Sequence, residues 1–101
     1  MAHAAPASPS PDLLPATARA ELERLRRRWS QLPLARAEEA APAVRALVED
    51  LAARTAPGTP VPDLGSAVLP DQLAVVAWDA CAAGRADDLP EALATLRRTL
   101  P

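Results

Sequence analysis

Proline and glycine divide this chain into four stretches that can form helices. The 101 residues include 12 prolines, and a proline inside a helix removes a backbone hydrogen bond and clashes with the preceding turn. The stretches between the prolines are rich in alanine, leucine, arginine and glutamate, which lose little side-chain freedom in a helix. The sequence therefore predicts an all-α protein.

The first half of the chain contains two predicted helices. One spans about residues 13–31, from an N-cap at Asp12 to a stop at Pro33, and its apolar stripe consists of Leu22, Leu25, Trp29 and Leu32. The second is strongest over residues 42–54, with an apolar stripe of Val44, Leu47, Val48 and Leu51. Because Pro42 removes the hydrogen bond to residue 38, we expect a kink or a break in the chain there.

A long loop and a third predicted helix follow. Residues 55–68 contain three prolines and two glycines, the densest group of helix-breaking residues after the first eleven positions. The third helix is predicted over about residues 70–83. Pro70 suits its first turn, and Gly84 suits a left-handed stop at its end.

The fourth predicted helix spans about residues 88–99 and begins where Asp88 and Glu91 resemble a capping box. Two helical hairpins joined by a proline- and glycine-rich loop, with each helix apolar on one stripe, predict a small four-helix bundle. This bundle is expected to be a single domain over residues 12–101. Residues 1–11, which are rich in proline, alanine and serine, are expected to be a disordered tail.

The predicted core is thin, which makes association with another chain plausible. Half of the residues are hydrophobic, but 25 residues are alanine and only 21 are leucine or valine. A domain of this size buries roughly 60 to 70% of its unfolded surface. We therefore expect a protein partner or a homo-oligomer, of which a dimer is the simplest.

Charge and cysteine content limit the possible partners and compartments. The net charge of −2 gives no general attraction for nucleic acid or an anionic membrane. Cys81 is the only cysteine, which excludes an internal disulfide and fits a reducing compartment. No apolar run is long enough to span a bilayer, and the first eleven residues lack the pattern of a secretory signal. The expected location is cytoplasmic, with no membrane association.

The residues that carry most enzyme and metal chemistry are scarce. The one histidine, His3, lies in the predicted tail, so the predicted bundle has no imidazole base or ligand. Cys81 lies on the inner face of the third helix and is expected to be a buried structural thiol. Adjacent carboxylates point about 100° apart on a helix and do not converge on a metal. We expect no catalytic residue, no metal site and no cofactor.

Arginines of the first helix form the one concentrated basic patch. Arg24, Arg26, Arg27 and Arg28 precede Trp29, and arginine beside an aromatic residue is typical of nucleic-acid contacts. Glu21 and Glu23 dilute the patch, and guanidinium groups also suit the carboxylates of a partner protein. Nucleic-acid binding is therefore an alternative hypothesis, and contact with a protein partner through Arg24, Arg27 and Arg28 is the preferred one.

The two tryptophans have different predicted roles. Trp29 shares the spacing of the leucines in its helix and is predicted to lie in the core. Trp78 lies at the edge of its apolar stripe, and with Val75 and Asp79 it is the best candidate for a partner contact. The sequence thus favours a non-enzymatic protein-interaction module, an accessory or regulatory subunit. A carrier with a small-ligand cavity between alanine-lined helices is a further alternative.

Overall fold

A computed structural model of the protein describes residues 14–101. It contains helices α1 (Ala16–Gln31), α2 (Leu34–Thr55), α3 (Leu69–Ala82) and α4 (Leu89–Thr99), and a short 3-10 turn, Ser66–Val68, leads into α3. No strand occurs in this range, so the prediction of an all-α four-helix bundle is confirmed. The predicted tail and the predicted cap at Asp12 lie outside the described residues.

The helix directions follow from contacts at the ends of the helices. Glu38, near the beginning of α2, binds Ser66 just before α3, and Arg54, at the end of α2, binds Arg85 just after α3. Helices α2 and α3 are therefore parallel, and residues 56–65 return the chain from the end of α2 to the beginning of α3. Helix α2 packs most closely on α3, and α1 on α4, so the closest packing joins the two halves of the chain.

The core is formed by apolar side chains from all four helices. Its largest fully buried members are leucines and valines: Leu25, Leu51, Leu69, Leu73, Leu89, Leu93, Val44 and Val48. Fully buried alanines, among them Ala77 and Ala80 on α3, let helix axes approach closely. Trp29 is 7% exposed and its Nε1–H donates to the backbone oxygen of Ser66 at 3.1 Å. The prediction of a core position for Trp29 is confirmed.

Of the kink or break expected at Pro42, the break does not occur. Helix α2 is continuous from Leu34 to Thr55 with Pro42 inside it, and it begins well before the region where its stripe is strongest. Pro33 precedes the first turn, and its carbonyl accepts hydrogen bonds from the backbone of Arg36 and Ala37. Since Pro42 and Glu38 are both exposed, water can reach the carbonyl that the proline leaves without a helical donor.

The capping box predicted at Asp88 is also absent. Helix α4 begins at Leu89, as expected, but the Asp88 side chain makes no capping hydrogen bond. Its carboxylate binds the Arg54 guanidinium instead, at 2.6 and 2.9 Å. Gly84 ends α3 with a φ of 69°, which confirms the predicted left-handed stop.

Candidate functional site

An apolar groove lies between α3 and the chain segment that leads back to it. Residues 56–65 contact the outer face of α3 and enclose a space of about 480 Å³. We call this space the α3 groove. Its walls are mainly aliphatic, and they include Ala56, Pro60, Val61, Leu64, Val68 and Val75.

Two of its wall residues are unusually exposed. Leu64 and Val75 are each 60% exposed, and they belong to different segments that meet at the same groove. Among residues 14–101 the other strongly exposed large apolar side chain is Leu34, which lies at the beginning of α2 and does not line the groove. Single exposed apolar side chains are common on protein surfaces, but several of them around one concave space are typical of binding sites.

Two polar side chains of the α3 groove have acceptor oxygens without a partner in the described part of the chain. The Gln72 Nε2 donates to the backbone oxygen of Pro62 at 3.0 Å, which leaves its Oε1 buried and without a hydrogen bond. Asp71 is paired with Arg26 at 2.8 Å. Asp79 forms no ion pair with any residue of the described range. A ligand of this groove would therefore be apolar, with a basic group placed at Asp79.

Three of the six predicted contact residues meet at one place beside this groove. Val75, Trp78 and Asp79 line an adjoining recess of about 310 Å³, and Val75 and Asp79 also line the α3 groove. Trp78 is half-buried.

Leu64 and Gln72 were not predicted as site residues. Leu64 lies in the loop of prolines and glycines, outside any periodic apolar stripe. A leucine in such a loop nevertheless indicates a possible contact residue.

The other three predicted contact residues meet at a separate recess. Arg24, Arg27 and Arg28 line a space of about 290 Å³ together with Gln31 and Arg97. We call this space the arginine recess. Arg26 does not take part, because it lies toward α3 and binds Asp71. Sequence analysis missed Arg97, which α4 brings to this place from the far end of the chain.

Glu21 binds two of the arginines that line the arginine recess. Its carboxylate accepts hydrogen bonds from Arg97 Nε at 2.6 Å and from Arg24 at 3.0 Å. The hydrogen bond from Arg97, and more weakly the charges of Arg97 and Arg24, hold the pKa of Glu21 below its ordinary value. The same hydrogen bond raises the pKa of Arg97.

Cys81 was expected to be a buried structural thiol; it is half-buried and packs against the core. Desolvation raises the pKa of its thiol, which lowers the reactive thiolate fraction at neutral pH. Residues 14–101 contain no group of three histidine, cysteine, aspartate or glutamate side chains placed to hold a metal ion. In the same range, no helix combines the length and the apolar character needed to cross a bilayer.

A scan against protein-family models, a search of curated proteins and a search of solved structures each found no match to this chain. The fold and the two surface sites therefore provide the grounds for a functional hypothesis. Of the two, the α3 groove combines the larger space with the exposed apolar side chains.

Proposed function

We propose that this chain is a cytoplasmic protein-interaction module, an accessory or regulatory subunit without catalytic activity, which binds a partner protein in the α3 groove. One observation carries this proposal: Leu64 and Val75, each 60% exposed, line the same apolar groove from two different segments. Covering them would remove apolar surface from water, which stabilises a complex by about 25 cal/mol per Å² of surface removed.

The chemistry of the groove favours a partner segment that is apolar on one face and basic beside it. The walls can take aliphatic side chains, and the Asp79 carboxylate at the edge has no ion pair within residues 14–101. An arginine or lysine at the margin of an amphipathic helix would pair with Asp79. Helices that place an apolar face in a groove are a common recognition mode.

A partner protein suits the α3 groove better than a second copy of this chain. In a two-fold symmetric dimer the α3 groove would meet the same surface of a second copy, so a basic partner for Asp79 would have to come from that surface. The arginines beside the groove are already paired, Arg26 with Asp71 and Arg45 with Asp63, whereas a basic residue of another protein would neutralise Asp79. The dimer predicted from the thin core is therefore the weaker form of the interaction hypothesis.

The two other functional hypotheses find less support. A nucleic-acid-associated regulator needs a continuous basic track, but Arg26 is paired with Asp71 and Arg24 with Glu21. A small-ligand carrier would use a cleft between alanine-lined helices. A surface recess of about 520 Å³ does lie between α2 and α4, with Ala43 and Ala92 among its lining residues. Unlike the α3 groove, it displays no strongly exposed large apolar side chain from the described part of the chain.

The test begins with a displayed library of helical peptides selected for binding to the protein. We expect the enriched peptides to share an apolar face and to carry arginine or lysine at its margin. Affinity of one selected peptide is then compared between two variants that remove the same atoms, Leu64→Ala and Leu34→Ala. Leu64→Ala should weaken binding by about tenfold, since burying a leucine contributes about 1.5 to 3 kcal/mol, whereas Leu34→Ala should have no effect.

Three results would contradict the proposal. The first is that no peptide is enriched, and the second is that enriched peptides carry acidic rather than basic margins. The third is a solution mass of two or more chains, measured by light scattering at two concentrations, that Leu64→Ala returns to one chain. That third result would assign the α3 groove to self-association.

A further inference from the structure

Every side chain that lines the arginine recess can donate hydrogen bonds, and four of the five are arginines. Arg24, Arg27 and Arg28 come from the last turns of α1, Gln31 ends that helix, and Arg97 comes from the last turn of α4. No carboxylate from residues 14–101 lines the space. Such a lining is unusual in a chain whose net charge is −2, and it is independent of the α3 groove because the two share no residue.

Positive charge remains in excess after the neighbouring negative groups are considered. Glu21 is the carboxylate bound to this cluster, it is shared by Arg24 and Arg97, and its side chain is only 14% exposed. Glu23 lies one turn before Arg27, but no ion pair joins them. The ends of α1 and α4 each contribute about half a negative elementary charge. Four guanidinium groups therefore face one side-chain carboxylate, which leaves the side chains of the recess with an excess of positive charge.

Contacts within the protein hold three of the four arginines of the recess. Arg97 is held by Glu21 through two hydrogen bonds, at 2.6 and 3.4 Å, and Arg24 is held by the same carboxylate at 3.0 Å. The Arg28 guanidinium donates to the backbone oxygen of Pro101. Arg27 has no side-chain hydrogen bond within residues 14–101, so it is available to bind a ligand.

We propose that the arginine recess binds a phosphate monoester, a doubly charged oxyanion whose oxygens match the paired donors of guanidinium groups. Planar guanidinium groups bind phosphate through two parallel hydrogen bonds, which a lysine cannot do. The recess is compact, and Arg26, the one remaining basic residue of the Arg24–Arg28 run, is paired with Asp71 on another face. This arrangement favours a single phosphate group over the repeated phosphodiesters of a nucleic acid.

The test is a titration of the full chain with inorganic phosphate, followed by backbone amide NMR shifts, with sodium chloride at matched ionic strength as the reference. We expect saturable shifts confined to residues 24–31 and the end of α4. Arg27→Gln should weaken phosphate binding at least about fivefold, because it removes a charge-assisted bidentate contact. Arg36→Gln, which removes an equal charge from an exposed arginine on α2, should leave the affinity unchanged.

Two further ligands distinguish the sources of the phosphate group. A short peptide that contains phosphoserine and a free sugar phosphate are each compared with inorganic phosphate. Tighter binding of the phosphopeptide identifies a modified protein as the natural source, and tighter binding of the sugar phosphate identifies a metabolite. Shifts no larger than those caused by chloride, or equal weakening by Arg27→Gln and Arg36→Gln, would overturn the proposal. Binding of a single-stranded oligonucleotide without any saturable effect of phosphate would overturn it as well.

Discussion

Arg54 and Asp88 form a two-point ion pair that joins the end of α2 to the beginning of α4. The two terminal guanidinium nitrogens of Arg54, Nη1 and Nη2, lie 2.6 and 2.9 Å from the two carboxylate oxygens of Asp88. Arg54 also binds Asp50 at 2.8 Å and donates to the backbone oxygen of Arg85, whose own side chain donates back to the backbone oxygen of Arg54. This network fixes the turn between α3 and α4 against α2.

Removal of the charge on Asp88 should weaken the bundle at this end. Asp88→Asn loses a bidentate charged contact, and we expect the free energy of unfolding to fall by about 1 kcal/mol, the upper range for ion pairs near the surface. In a domain of about 100 residues this corresponds to a decrease in Tm of roughly 5 °C. Thermal unfolding followed by circular dichroism measures it.

Asp87→Asn is the matched control, since the neighbouring aspartate is exposed and forms no ion pair in the described part of the chain. It should leave the Tm within about 2 °C of the wild type, as surface substitutions usually change stability by less than 0.5 kcal/mol. Equal decreases in the two variants would show that the Arg54 contact does not contribute to stability.

Asp88 also shows where sequence analysis succeeds and where it fails. The helices were predictable because helix propensity, apolar spacing, and the proline and glycine boundaries are local properties. The capping box was a local prediction too, but Arg54, 34 residues away, binds the carboxylate instead. Such long-range competition depends on which helices pack together. The closest packing joins α1 with α4 and α2 with α3, and the order of the helices along the chain does not predict this pairing.

The candidate sites were also predictable where the signal is local and were missed where it depends on tertiary contacts. Val75 and Trp78 were identifiable because they depart from the apolar stripe of α3, and the basic run of α1 was visible as a run. Leu64 and Arg97 were missed because their roles come from tertiary neighbours: Leu64 meets Val75 across the groove, and Arg97 meets Arg24 at the shared Glu21.

Stability should decline in acid as the ion pairs of Glu21 and Asp88 are lost. Both pKa values are lowered in the folded protein, chiefly by hydrogen bonds from Arg97 to Glu21 and from Arg54 to Asp88. A lowered folded-state pKa stabilises the protein above the unfolded-state value, and this contribution is lost as the pH falls through the folded-state value. With ordinary values of 4.5 for Glu21 and 3.8 for Asp88, the loss should begin below about pH 4.5.

Urea unfolding of Glu21→Gln at a series of pH values tests the Glu21 part of this prediction. The variant should be less stable than the wild type at pH 7, and the difference should shrink as the pH falls below 4.5. Glu23→Gln, on the same helix and without an ion pair in the described range, should track the wild type throughout. A difference that stayed constant down to pH 2 would argue against the assigned ion pair.

Replacement of Pro42 should stabilise the protein. Helix α2 passes through Pro42 without a break, and the proline lacks the N–H that would bond to the carbonyl of Glu38. Proline in a helix interior costs up to about 3 kcal/mol relative to alanine, and an exposed carbonyl recovers part of that cost from water. We expect Pro42→Ala to raise the free energy of unfolding by about 1 to 2 kcal/mol.

Pro57→Ala is the control for Pro42→Ala, because Pro57 lies in the turn after α2. Its replacement should give no gain, since a loop proline stabilises by restricting the unfolded chain. A lower Tm for Pro42→Ala would show instead that the packing of the first half of α2 depends on a bend at the proline.

The two tryptophans allow the binding site to be observed directly. Trp29 is 7% exposed and its indole N–H is bonded to Ser66, whereas Trp78 is half-buried beside Val75 and Asp79. Trp78→Phe leaves Trp29 as the one fluorophore, and its emission should be blue-shifted and poorly quenched by acrylamide. Trp29→Phe leaves Trp78, whose quenching should be stronger because water and acrylamide reach it. A peptide bound in the α3 groove should reduce the quenching of Trp78 and leave Trp29 unchanged, and the opposite pattern would place the peptide elsewhere on the bundle.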